Sequence, residues 1–104
     1  MSQRKRAVRR AEDRVQNKLA RDLEKLWAVA PGGSPARPIV VTSPSEVEVH
    51  AAAMPCPICQ SALRIEEHAA ETIAGVRLRV ARGVCTFCRA PRAIYFQLAG
   101  AMPN

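Results

Sequence analysis

The stretch Cys56-Pro57-Ile58-Cys59, matched 25 residues later by Cys85-Thr86-Phe87-Cys88, decides how this chain folds. These four are its only cysteines. Two C-x-x-C pairs supply a complete tetrahedral set of thiolate ligands for one zinc ion per chain. Each pair can bend into a tight turn that aims both sulfurs at one ion. Backbone N–H groups then face the sulfurs and share the thiolate charge. The ligands must ionise to bind, and the metal itself enforces this. A hairpin between the pairs would bring four sulfurs to about 2.3 Å from the metal. Iron is the chief rival, because tetrahedral sulfur suits both ions. An iron–sulfur cluster would call for a cluster-type spacing that is absent. A thiol redox role would call for one pair alone on a βαβ unit. A closed four-cysteine shell leaves no position for substrate or water, so no enzyme and no small-molecule substrate are expected.

The chain has 104 residues and four aromatic side chains, Trp27, Phe87, Tyr95 and Phe96. A core so poor in large side chains needs a staple, and a metal is the obvious one. The formal charge is +7 and is unevenly placed. Residues 1–27 carry nine basic and four acidic side chains, a net +5, against +2 for the rest. No apolar run approaches the length of a membrane span, and no apolar stretch follows the basic start as in a secretory signal. A cytoplasmic, reducing compartment is expected, where paired cysteines bind metal more often than they form disulfides.

Outward from the cysteines, the chain divides into four parts. Residues 1–30 read as a basic amphipathic helix with a flexible N-terminal arm. The arm, Arg4-Lys5-Arg6-Ala7-Val8-Arg9-Arg10, places five positive charges at a helix N-terminus, where the dipole opposes them, so it should fray or wait for an anion. From Arg10 onward Val15, Leu19, Leu23, Leu26 and Ala30 form one apolar stripe. A heptad register of 15, 19, 22, 26 and 29 puts Asp22 at a core position and covers about two heptads, so a long coiled coil is not expected. The stripe must be buried somewhere, and packing on the sheet of its own chain is the simplest choice. Pro31-Gly32-Gly33 stops the helix. Residues 31–52 read as a Pro/Gly-rich linker with short strands, one at Ile39–Thr42 and a second at Glu46–His50.

Residues 53–99 hold the cysteines in the order pair, strand, reversal, strand, pair, strand, and residues 100–104 are a tail. The strands are Leu63–Glu66, Val76–Val80 and Ala93–Leu98, with the reversal within His68–Gly75. Val76, Leu78, Val80, Ile94, Phe96 and Leu98, with Leu63 and Ile65, are expected to form one inner face.

Cys56-Pro57-Ile58-Cys59 and Cys85-Thr86-Phe87-Cys88, followed by a strand, resemble the zinc ribbon family with its rubredoxin-like zinc knuckles. The resemblance covers about half the chain, roughly residues 53–99. It implies a three-stranded antiparallel sheet with zinc at one end, held by Cys56, Cys59, Cys85 and Cys88. Members often place Gly after the second cysteine of each pair; Gln60 and Arg89 stand there in this chain. The expected fold is therefore a small metal-stabilised α+β unit, an N-terminal amphipathic helix plus a three-stranded antiparallel zinc ribbon.

The resemblance also implies nucleic-acid association, since zinc ribbons recur in transcription and translation factors. The residues that would serve it are Arg4, Lys5, Arg6, Arg9 and Arg10 on the arm, and Arg77, Arg79 and Tyr95 on the sheet. Five cations meeting duplex phosphates would give a log–log salt slope of about −4 to −5. Arg64, Arg77 and Arg79 should share an outer face near Tyr95, where aromatic and guanidinium groups can stack on bases. A solvated tail and an ordinary polar face are the plainer readings of the same residues. The alternative is an adaptor that docks on a protein partner through Leu19, Leu23, Leu26 and Trp27. His50 and His68 are expected to be solvent-exposed, on an edge strand and a loop, since four cysteines already fill a zinc shell.

Overall fold

A computed structural model describes residues 2–100. A long helix α1 (Ser2–Val29) is followed by a short strand β1 (Ile39–Val41) and a second helix α2 (Ser45–Ala52). Strands β2 (Leu63–Ile73), β3 (Val76–Cys85) and β4 (Pro91–Leu98) complete the chain. The four strands form one mixed sheet in the order β1-β4-β3-β2. β2, β3 and β4 are antiparallel neighbours, and β1 adds parallel to β4. The three-stranded antiparallel expectation is thus corrected by one edge strand. Ile39-Val40-Val41 had the β-branched composition of a strand, but nothing local could say which edge it would join.

Residues 46–50 are helical rather than extended. The Glu46 carboxylate accepts hydrogen bonds from the Thr42 and Ser43 N–H groups, each at 2.8 Å, and from the Thr42 hydroxyl. Ser43-Pro44-Ser45-Glu46 is a capping-box sequence, and its glutamate satisfies donors that would otherwise be orphaned at a helix start. Val47 and Ala51, four residues apart, are fully buried beneath the helix.

Ala74 and Gly75 both hold positive φ (51° and 79°), a two-residue turn joining β2 to β3. The reversal is therefore confined to these two residues, and His68–Ile73, expected within it, is strand. The signal was hidden by a bulge. The β2–β3 register shifts between Ile65 and Glu67, so Leu63 and Ile65 share a face with His68 and Ala70. Gly83 lies across from this bulge, where a Cβ would come 2.0 Å from the Arg64 carbonyl oxygen. Only a residue without a side chain allows the strands to approach so closely.

The pairing register divides the sheet into two faces. Ile39, Val41, Phe96, Ile94, Ala81, Cys85 and Leu63 share the face that α2 covers. His50 sets its ring edge-on to Phe96, with centroids 5.6 Å apart. Leu78 and Val80 are buried on the opposite face, since Val80 pairs with Tyr95 and Ala81 with Ile94. The single inner face expected from alternation is therefore corrected. Alternation holds within β3 and within β4, but the phase between them is set by their pairing. Val76, beside the turn, is exposed.

Helix α1 does not pack along the sheet, and the basic stretch expected to fray is helical from Ser2. The molecule spans 67 × 24 × 15 Å, the long axis reflecting a projecting helix about 42 Å in length. The helix is held to the body near its C-terminal end. Trp27 packs against the core. Both Glu24 carboxylate oxygens accept hydrogen bonds from the Arg92 guanidinium, each at 2.6 Å. The following segment is pinned as well, with the Tyr95 N–H donating to the Gly32 carbonyl at 2.9 Å on the edge of β4 beside β1.

Candidate metal centre

The two cysteine pairs are copies of one local structure. Cys56 N–H donates to Ser61 O at 2.9 Å, and Cys85 N–H to Ala90 O at 3.0 Å. Gln60 N–H returns to Cys56 O at 2.9 Å, and Arg89 N–H to Cys85 O at 3.1 Å. Gln60 and Arg89 both sit in the left-handed region, at φ 65° and 64°. Both backbones take a conformation that favours Gly, without one. Phe87 and Cys88 N–H groups approach the Cys85 sulfur at 3.4 Å, and Ile58 and Cys59 N–H groups face Cys56 in the same way. The knuckles are also tied together, since the Thr86 N–H and hydroxyl both donate to Ala62 O, at 3.0 and 2.9 Å.

The result is a cluster of four sulfurs, all within 4.8 Å of one another. Cys56 and Cys88 sulfurs are 3.7 Å apart, and Cys59 and Cys85 sulfurs 3.3 Å. A regular tetrahedron with metal–sulfur bonds of about 2.3 Å has sulfur–sulfur edges of about 3.8 Å. The cluster therefore has the size and the donor chemistry of a four-thiolate metal site. Among the described residues, this is the group of Cys, His, Asp and Glu side chains so arranged.

The electrostatics favour a cation at its centre. Burial pushes the Cys56 thiol up, but the Cys59 and Ile58 N–H groups outweigh it and the net shift is downward. The Ser61 hydroxyl and N–H hold Cys59 down at about 6. Cys88 behaves oppositely. The Ala90 N–H pulls it down, yet desolvation and the other three sulfurs push it up to about 11. Sulfurs this close cannot all carry charge unaided, and a bound divalent ion removes the conflict.

Arg92 links this centre to α1. It is the buried charged side chain of the core, 7% exposed. Its guanidinium holds Glu24 and lies over the Trp27 ring at 5.5 Å from the centroid, while its Nε is buried without a hydrogen-bond partner. The Glu24 bond and its charge hold the Arg92 proton more tightly, with Cys56 adding to the effect. Sequence reading passed Arg92 over, because its meaning lies in partners far along the chain.

The structure does not assemble the sheet patch expected for nucleic acid. Arg79 pairs across from Phe96, which places Arg77 and Arg79 on the α2 face. Tyr95 pairs with Val80, and Arg64 with Val84, so both stand on the opposite face. Lys5, Arg6, Arg9 and Arg10 are exposed along α1, and the Arg4 side chain lies outside the described residues. Leu19 and Leu26 are exposed, whereas Leu23 is half-buried and Trp27 packs on the core. His50 is exposed as expected, though on a helix. His68 is not in a loop. It lies on β2 with its side chain 13% exposed, its Nδ1 3.9 Å from Glu48 and its Nε2 buried without a partner. Among the described residues, no helix is long and apolar enough to cross a membrane.

Compared with protein-family models, with curated proteins and with solved structures, the chain matches none.

Proposed function

We propose that this chain is a non-enzymatic interaction module, in which one structural zinc ion in a ribbon-like four-cysteine site staples a small body that displays helix α1 to a protein partner. The observation that carries this reading is the exposure of the α1 stripe. Val15, Leu19 and Leu26 are 67%, 53% and 63% exposed, on a helix that projects from a body to which it is firmly anchored. A helix with an uncovered apolar row gains stability by packing it, and isolated helices draw little stability from propensity alone. A zinc ion closed within four thiolates, with no open coordination position, fits this reading. The four cysteines fill its shell, and an apolar cleft of about 510 Å³ beside α2 offers only Glu46 and His50 as titratable groups. Glu46 is already engaged in capping α2.

The test is a pull-down with zinc-loaded protein against the proteins of its own cell. Wild type should retain a defined partner that Leu19→Glu and Leu26→Glu both release, with folding unchanged. Retention that survives both substitutions would overturn the reading. A second reading, nucleic-acid association, is favoured by the charge of α1, whose described basic side chains include Lys5, Arg6, Arg9 and Arg10. It predicts salt-dependent retention on duplex DNA or RNA that falls when those residues are neutralised.

A further inference from the structure

We infer that the occupant of α1 is an amphipathic helix of another protein with acidic residues along its flanks; this rests on the reading of α1 as the interaction element. Because α1 is helical from Ser2, the heptad register extends back from Val15 to Val8. Val8, Val15, Leu19, Leu26 and Val29 then form a seam three heptads long, about 32 Å, and each is more than half exposed. The seam is narrow, confined to the a and d positions, which is the form a helix takes to meet another helix. On one side of it lies a row of exposed basic residues: Lys18 and Lys25 hold the g positions that border the seam, and Arg14, Arg21 and Arg10 lie progressively farther round. No acidic residue falls within this row; Asp22, at its edge, binds Lys18 at 2.9 Å. At 100° per residue, the row and the seam are centred roughly 110° and 135° around the helix from the Trp27–Glu24 side that grips the body. They lie on either side of the direction that points away from the body, their centres about 115° apart, with Lys18 and Lys25 the basic residues nearest the seam.

The apolar seam gains by being covered, and a partner seated on it meets Lys18 and Lys25 at its border. A second copy of this chain fits poorly in either orientation. In a parallel pair Asp22 meets Asp22 and Glu12 meets Glu12 within the seam. In an antiparallel pair that sets Leu19 against Asp22 of the other copy, Lys18 of one meets Lys25 of the other, twice; one heptad along, Lys18 meets Lys18 and Glu12 meets Asp22. Like charges placed so are a device against self-pairing. A bilayer surface would have to accept Glu12 and Asp22 on the inserted face, while Trp27, the aromatic that would anchor it, is turned to the body. A nucleic acid would satisfy the basic row but leave the apolar seam in water. An acid-flanked helix neutralises the row, covers the seam and can place arginine opposite Glu12 and Asp22.

Two synthetic peptides test this against the zinc-loaded full chain by fluorescence anisotropy. Both carry leucine along the seam and arginine opposite Glu12 and Asp22; one has glutamate flanks and the other lysine flanks. The glutamate peptide should bind at least about tenfold more tightly at low salt, and the difference should shrink at high salt. Lys18→Glu with Lys25→Glu should reverse the preference, and Leu19→Glu with Leu26→Glu should abolish binding of both peptides. These residues are on the surface, so the variants keep the fold. Equal binding of the two peptides would overturn the acidic partner while leaving α1 as an interaction element. Binding of neither would overturn the inference. If the chain then sediments as a dimer, the occupant is a second copy. If it retains duplex DNA in a salt-dependent way lost on Arg14→Ala and Arg21→Ala, the interaction-module reading fails as well.

Discussion

Gln60 and Arg89 carry side chains at φ 65° and 64°, where a Cβ crowds the following carbonyl oxygen at a cost of about 1–2 kcal/mol. Arg89→Gly should remove that cost, less the entropy a glycine loses on folding, and raise the stability of the metal-loaded chain by about 0.5–1 kcal/mol. Denaturant unfolding would check it. Gly83→Ala should act the other way, since its Cβ would meet the Arg64 oxygen, and should cost at least about 2 kcal/mol. Arg92 is the third residue on which the account turns. Arg92→Met should free α1 from the body and shift the emission of Trp27, the single tryptophan, to longer wavelength, with the metal content unchanged. The cysteines were legible from sequence because a metal demands a residue type at a spacing, and both are local. Arg92 was not, because Glu24 lies 68 residues away and nothing near Arg92 announces it.

At the scale of elements, legibility followed how local each cause was. The helix stop at Pro31-Gly32-Gly33 and the starts of β2 and β3 rest on patterns a few residues long and stand where they were expected, while β3 runs on to Cys85. Residues 46–50 held two competing local signals, alternating valines and a capping box. The capping box prevailed, and the helix buries Val47 and Ala51 while turning Val49, 73% exposed, to solvent, whereas a strand would put all three on one face. Glu46→Ala should therefore destabilise the fold by about 1 kcal/mol, measured in denaturant. The far half of β2 was illegible because the bulge at Glu66 breaks the period of two on which strand reading depends. The faces of β3 and β4 were illegible for a related reason, since register belongs to the pair and not to either strand. Helix α1 reads as amphipathic, yet its expected burial along the sheet did not follow: α2 covers one face, and α1 meets the body through Trp27 and Glu24 near its C-terminal end. Leu19→Lys should consequently change stability by less than about 0.5 kcal/mol, as unfolding curves would show.

The whole molecule is a small sheet with one helix laid on it and another standing away from it. Its core contains few large side chains, Phe96, Leu78 and Ile94 among the largest that are fully buried. Such a core is short of stability, and a four-thiolate metal site can contribute on the order of 10 kcal/mol. Metal loading should weaken as pH falls, because Cys88, pushed up to about 11 in the crowded cluster, must lose its proton to bind. The knuckles, the sheet and the Arg92 link to α1 form one connected structure, so losing the ion should release more than the site itself. Elemental mass spectrometry of the purified chain, with circular dichroism and Trp27 emission recorded before and after chelation, tests this most directly. One zinc per chain, with loss of the sheet signal and a red-shifted Trp27 on chelation, is the predicted result. A chain without stoichiometric metal that keeps its sheet and its Trp27 environment would contradict the account.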